Sequence, residues 1–462
     1  MSRTLQRWIG TTLACLVGAL GASQAGAIET ERVAVTATST PFDAAIDPGA
    51  YGYLEDEYLV SGTGNVYEYD AAGAVRVRTH DVPYRSRILV RRPPPHRFRG
   101  VVLVELLNPT AGYDIDFEWH NTRKLLVREG YAWVGVTIKD TAIDFLKDWD
   151  PARYGTLAMS DRGLAYDLFA QVAALLRERN DPENPLRGYR VDVVVGTGYS
   201  QSADYLTTFS NEFHDTALAA GGRHAFDGYL HTGGNGAARR LNSTDPELFI
   251  DDRRFNRVAA PLMRVQSETE VGIFFYSSAT TRQPDSPTFR VYEIAGGSHA
   301  DAETLERTGE VAARDLGLPV LPACQDPLSP LAVGPVHRSA LANLVRWIRT
   351  GTPPPPSRWI ELDGDGLVVR DGDGNAVGGI RLPPIDVPLG TFEPGNIGPL
   401  PCPLAGSFYA FDPATLGVLY PSHGRYVSRV VSSALDNVRA GYLLPGDALG
   451  YVVEAARSSV GH

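Results

Sequence analysis

Cysteine is scarce in this chain: three residues in 462, with no C-x-x-C pair among them. No H-E-x-x-H pattern occurs either, so the local signatures of zinc sites and dithiol redox centres are missing, and no metal or cofactor is expected. Basic residues do not predominate. Against 54 Asp and Glu stand 43 Lys and Arg, a formal net charge of −11. A chain of that sign has no electrostatic reason to hold a phosphate backbone, which argues against nucleic acid as a partner. The short basic run Arg91-Arg-Pro-Pro-Pro-His-Arg-Phe-Arg99 reads as a solvated loop. A membrane-spanning run is lacking too: the apolar stretch Trp8–Leu20 is too short to span a bilayer, so no stable insertion is expected.

That stretch follows Arg3 and Arg7 and leads to Ala25-Gly-Ala27, the pattern of a signal peptide over residues 1–27 cleaved near Ala27. Thr12-Leu-Ala-Cys15 is a poor lipobox, because the apolar stretch continues past it. Cleavage would remove both arginines and no acid, taking the charge from −11 to −13 and the length from 462 to 435. It would also leave two cysteines, Cys324 and Cys402. Two is the number for one disulfide in an oxidising compartment, periplasmic or extracellular, and this one would tie the main domain to the C-terminal segment.

The remaining length exceeds one ordinary core, so accessory elements are expected. Residues 28–95 alternate polar with β-branched or aromatic positions, as in Ala74-Val-Arg-Val-Arg78 and Arg87-Ile-Leu-Val-Arg91, and read as an N-terminal β-rich extension leading into the main sheet. From 96 to 350 strands alternate with helices. Tyr131–Ile138 reads as a strand, and Leu164–Arg177 as a helix with apolar positions at 164, 168, 169, 172, 175 and 176. That alternation predicts a mostly parallel sheet covered on both faces. Residues 233–260, glycine-rich and then charged, read as a cap or lid. Arg338–Arg349 reads as the last helix, stopped by Thr352-Pro-Pro-Pro-Pro-Ser357. The segment 351–462 is expected to be β-rich and packed on the domain formed by residues 96–350. Its turn sequences Asp363-Gly-Asp-Gly366 and Asp371-Gly-Asp-Gly-Asn375 predict hairpins. The second has the D-x-D-x-N start of a calcium loop, but Ala376 and Leu382 replace the glycine and glutamate such a loop needs.

The most informative run is Val193-Val-Val-Gly-Thr-Gly-Tyr-Ser-Gln-Ser-Ala203. An apolar strand, Val191–Val195, runs through two glycines to Ser200 and then into helix-compatible residues. Gly198 stands two residues before the serine, where a bulky side chain would collide with a tight strand-to-helix turn, and Ser202 occupies the second small position. Such a turn lifts a serine hydroxyl clear of the sheet, as a nucleophile requires.

A nucleophilic serine needs a base and a carboxylate, which follow in the order acid, then histidine, when the serine sits on such an elbow. Phe289–Ile294 alternates like a strand and opens into Ala295-Gly-Gly-Ser-His299. His214 and His224 lie too close to the nucleophile, His231 ends a strand one step too early, and His337 and His423 fall outside the expected position. His299 is the candidate base. The acid is sought after the preceding strand, Pro261–Gln266, in Ser267-Glu-Thr-Glu270. Glu268 and Glu270 both qualify; the register of small-acid-x-acid turns favours Glu270, with Glu268 supporting the turn. The oxyanion hole calls for the amide of Gln201 and a second donor from the loop after Val101–Leu107. Pro109 has no N–H, leaving the Thr110 amide, or else the Asn108 side chain.

With these residues in view, the chain resembles bacterial α/β-hydrolase-domain proteins that carry a G-x-S-Q-S-A elbow. The resemblance extends through Tyr84–Pro93, Val104-Glu-Leu-Leu-Asn108, Gly130–Val136, Gln266–Glu270 and Gly378–Pro383. Tyr199 stands where that family usually has glutamate, and Glu270 where it often has aspartate. The resemblance implies an α/β-hydrolase fold and a serine hydrolase of esterase type, acting on a small or polymeric ester. A serine amidase or peptidase with the same triad, and a non-catalytic binding protein on this fold, are the alternatives. Acyl length, alcohol group and oligomeric state are not legible.

Overall fold

In the computed structural model the described residues are 28–462, apart from residue 37 and residues 273–275. The expected signal peptide lies outside the described residues. The sheet begins with β1 (Glu29–Val33) and a long hairpin, β2 (Leu54–Tyr69) and β3 (Val75–Arg92). Asp70 closes the hairpin turn by accepting the amides of Ala72 and Ala74. β3 pairs antiparallel with β5 (Ala132–Val136), with Ile88 opposite Val136. The N-terminal extension is therefore one side of a single nine-stranded sheet rather than a separate layer.

Beyond β5 the sheet is parallel. It continues through β4 (Val101–Leu106), β6 (Val193–Tyr199), β7 (Gly228–Thr232), β8 (Leu262–Ser267) and β9 (Phe289–Ile294). β4, β5 and β6 are buried at every position, as strands covered on both faces must be. Alternation sorts their side chains. Val102 and Val104 join α3 (Leu164–Arg177) and α4 (Gln201–Glu212) in one core, whereas Val101 and Leu103 join α1 (Phe117–Glu129) and α6 (Gly334–Thr350) in the other. Two shorter-range elements complete this part: α2 (Asp140–Trp149) after β5 and α5 (Ala302–Leu316) after β9.

Residues 233–260 form a two-stranded piece, Ala238–Arg239 with Leu248–Phe249, and a short 3-10 turn, Asp252–Arg254. This segment is laced to α4. Thr208 Oγ1 donates to the Arg239 carbonyl at 3.0 Å and accepts its amide at 2.8 Å, and Asn211 Nδ2 donates to the carbonyls of Arg253 and Phe255.

The C-terminal segment corrects one expectation. Residues 358–410 are indeed hairpin-like, with Leu362 bridged to Val368, Arg370 to Ala376, and Gly390–Glu393 paired with Ser407–Ala410. The rest is helical: α7 (Pro413–Leu419), α8 (His423–Ala440) and α9 (Pro445–Arg457). Asp412 and Ser422 cap the first two by accepting the amides of Thr415 and Arg425. Tyr426, Val430, Ala434 and Asn437 bury one face of α8 at helical spacing. The Asp371 carboxylate accepts the amides of Asp373 and Asn375 and pairs with Arg381 at 2.8 Å, so it is occupied in holding a turn.

Cys324 and Cys402 form a disulfide across 78 residues of chain. Closing a loop of that length in the unfolded state is worth about 4–5 kcal/mol. Replacing both cysteines by serine should lower the unfolding free energy by that amount in urea titrations; unchanged stability would refute a role for the bridge in holding the C-terminal segment.

Candidate active site

β6 ends at Tyr199 and α4 begins at Gln201, so the whole reversal of the chain falls on Ser200. The strand runs further than the apolar pattern suggested, taking in Gly196, Thr197, Gly198 and Tyr199. Gly196 permits this, because a Cβ there would lie 2.9 Å from the Tyr229 ring. Ser200 has φ 57° and ψ −122°. L-residues rarely adopt that conformation, and it costs roughly 1–3 kcal/mol. Its surroundings enforce it. The Ser200 amide donates to the Thr232 carbonyl at 2.9 Å. A Cβ on Gly198 would meet the Ser202 carbonyl oxygen at 2.7 Å. Ser202 is fully buried, and its Oγ donates to the Leu107 carbonyl at 3.0 Å, fastening α4 to the end of β4.

His299 stands on the loop after β9, and four contacts set that loop. The Gly296 amide donates to Glu268 Oε2 at 2.7 Å, and the Glu268 amide donates to the Gly297 carbonyl at 3.0 Å. The His299 amide donates to Thr269 Oγ1 at 3.0 Å, and the Tyr199 hydroxyl donates to the His299 carbonyl. The imidazole lies 5.0 Å from the Tyr199 ring, and its Nδ1 is 2.6 Å from Glu270 Oε1, with both groups buried. A side chain on Gly233 would crowd both, at 3.0 Å from Tyr199 and 3.3 Å from His299.

The two carboxylates part because residues 268–272 form a helical turn. Positions two apart on a helix diverge by about 200°. Glu270 faces His299. Glu268 faces the 295–297 loop and Arg370, whose guanidinium is 2.5 Å away. Burial pushes the Glu268 carboxyl above the usual range, and Arg370 with the Gly296 amide pulls it back.

Gln201 is the first residue of α4, so its amide has no partner within the helix. Thr110 differs from expectation. It is exposed, and its amide donates to Asn108 Oδ1 at 2.9 Å while Asn108 Nδ2 donates to the Tyr199 carbonyl at 2.7 Å. The Asn108 side chain thus braces the loop against the elbow and occupies the amide assigned to the oxyanion.

Residues the sequence reading missed surround this set. Lys139 Nζ donates to Gln201 Oε1 at 2.9 Å. Asp301 caps α5 through the Thr304 amide at 2.8 Å and accepts the Val333 amide at 2.9 Å. A buried pair, His337 with Glu118 at 2.9 Å, lies beside Tyr199, whose ring is 6.0 Å from the imidazole. Asp301, just past His299 and before a helix, carried a capping signal; the other contacts come from distant parts of the chain. His214, Asp215 and His224 bring possible metal-ligand atoms within 4.8 Å of one another. They lie past the far end of α4, about 18 Å along the helix from Ser200.

The chain matches the alpha/beta hydrolase domain family over residues 28–452. It belongs to that family. No curated protein sequence matches it. Among solved structures it is similar to an alpha-beta serine hydrolase homologue from Coxiella burnetii (11% identity, 51% of this chain and 88% of that one, TM-score 0.29). It is also similar to acetyl xylan esterase 1 from Thermoanaerobacterium sp. JW/SL YS485 (11%, 58% and 81%, 0.30) and to esterase B from Lactobacillus rhamnosis (13%, 51% and 75%, 0.29). Among the described residues no helix is long and apolar enough to cross a membrane.

Asp204, in the first turn of α4, accepts the Asn235 and Ala237 amides and lies 3.5 Å from Arg239. Burial drives its carboxyl from 3.8 up to about 7 against those contacts. The folded state therefore holds this proton more tightly than the unfolded chain. That contribution to stability is complete below about pH 4 and is lost as pH rises through about 7. Wild-type protein should lose more unfolding free energy between pH 5 and pH 8 than Asp204→Asn does, as read by denaturant titration at the two pH values. Equal losses would contradict the assignment.

Proposed function

We propose that this protein is a secreted serine esterase. Ser200 Oγ attacks the ester carbonyl, and His299 takes the proton on Nε2, since Nδ1 is committed to Glu270. Glu270 holds that tautomer and balances the imidazolium as it forms. The Gln201 amide receives the developing oxyanion. His299 then returns the proton to the leaving alcohol. A water activated by the same imidazole releases the acyl group from Ser200.

The observation that carries this reading is the strained Ser200 backbone at an elbow beside a buried His299–Glu270 pair 2.6 Å apart. A backbone held in so unfavourable a conformation has a functional reason. Ester is favoured over amide by the Thr110 contact: with that amide engaged, the site offers fewer preformed oxyanion donors, and an alkoxide is a better leaving group than an amine. Secretion is supported by the leader pattern over residues 1–27 and by the Cys324–Cys402 disulfide, which suits an oxidising compartment.

A fluorophosphonate probe should label the protein at Ser200, mapped by peptide mass spectrometry, and p-nitrophenyl esters should be turned over much faster than the matching anilides. Labelling at another serine would refute the elbow assignment. Glu270→Gln should lower kcat by about 10⁴-fold with little change in KM, because the wrong tautomer is then favoured. Glu268→Gln, which acts only through the loop, should cost far less; the reverse order would exchange the two roles.

A further inference from the structure

Four cations crowd one side of the nucleophile helix. Lys139 opens α2, just past the end of β5, and its Nζ donates to Gln201 Oε1 at 2.9 Å, on the residue that follows Ser200. Behind it Arg162, Arg239 and Arg240 converge on one carboxylate, Glu247. Arg162 Nη1 is 3.2 Å from it, Arg239 Nη1 is 3.0 Å away, and Arg240 makes a third contact. Asp140 takes a second bond from Arg162 at 2.9 Å. Asp204 faces Arg239, but with its carboxyl pushed up to about 7 it supplies less than a full negative charge near neutrality.

The charges therefore do not balance. Lys139, the three arginines and Arg264, which also faces Asp204, meet the carboxylates of Glu247, Asp140 and Asp161 and the partly protonated Asp204, on a chain that is acidic overall. The acceptor Lys139 does have, the Gln201 amide oxygen, is neutral. Burial and the neighbouring Arg162, Arg239 and Arg240 pull its amine down to about 8, with Asp140 acting in the opposite sense. A crowded, partly desolvated amine is unfavourable by itself and is relieved by an anion. The side chains of Arg162 and Arg240 keep 22% and 15% of their surface, so a ligand can reach the cluster.

We infer that Lys139, backed by Arg162 and Arg240, is an anion subsite beside the nucleophile, and that the ester cleaved carries a carboxylate on the portion lying toward Gln201. The inference rests on the esterase reading for its catalytic part alone; binding of the anion does not depend on it.

Two measurements separate these. Isothermal titration of the Ser200→Ala protein with adipate should show saturable binding that weakens by about tenfold or more in Ser200→Ala/Lys139→Gln and returns in Ser200→Ala/Lys139→Arg. With Ser200 intact, kcat/KM for mono-p-nitrophenyl adipate relative to p-nitrophenyl hexanoate should fall by a similar factor in Lys139→Gln. It should also decline in wild type as pH rises through about 8, because the amine is charged below that value and neutral above it, and not in Lys139→Arg. Unchanged adipate binding in the Lys139→Gln background, or a rate ratio indifferent to residue 139, overturns the subsite. Adipate binding lost with Lys139 while neither ester is cleaved would uphold the subsite and refute the esterase reading.

Discussion

Everything around Ser200 serves to keep one residue in a backbone conformation it would leave if it could. The cost is roughly 1–3 kcal/mol, a sizeable part of what a domain has to spare. No single contact supplies that. The bond to Thr232 fixes the amide, the bare Cα of Gly198 lets the helix fold back, and Ser202 ties the helix to the neighbouring strand. The central strands are buried at every position, so the platform under the turn does not yield. A serine on a looser turn would relax into an ordinary helix start.

The same rigidity reaches the loop opposite the serine through buried charge. Arg87 in β3 is wholly buried and bonds Asp114 at 2.8 Å, while Arg91 bonds Asp116. Both aspartates lie in the segment between β4 and α1, which also holds Asn108. Glu57 in β2 completes the group with Arg153 at 2.6 Å and Tyr154 at 2.7 Å. Removing one member of such a set leaves an unpaired buried charge, at about 3–5 kcal/mol. The long N-terminal hairpin is thus joined to the site by ion pairs as well as by strand pairing.

Much of the fold was legible because its signals are local. The helix over residues 164–177 and the strand over 289–294 stand where periodicity put them, since each pattern spans the whole element. Beyond residue 411 the tail is helical where the turn pattern predicts strands. Its helices are short-range features too, but glycine and proline punctuation favours turns there, and the caps at Asp412 and Ser422 are the local signals of the helices. The end of β6 is not legible because glycine reads as a turn; the Tyr229 and Phe226 rings beside Gly196 explain a glycine inside a strand.

The order of residues alone determined that a serine would sit between a buried strand and a helix, that a histidine would follow a glycine turn after a later strand, and that two acids would compete for one position. These are statements about chain order and about the small residues a tight turn tolerates. Tertiary structure decided which acid meets the imidazole, because a helical turn sends Glu268 and Glu270 to opposite sides. It also decided that the Thr110 amide is taken by Asn108, and that Lys139 and three arginines gather beside Gln201. Those outcomes depend on side-chain directions and distances between segments far apart in the chain, which linear spacing does not encode.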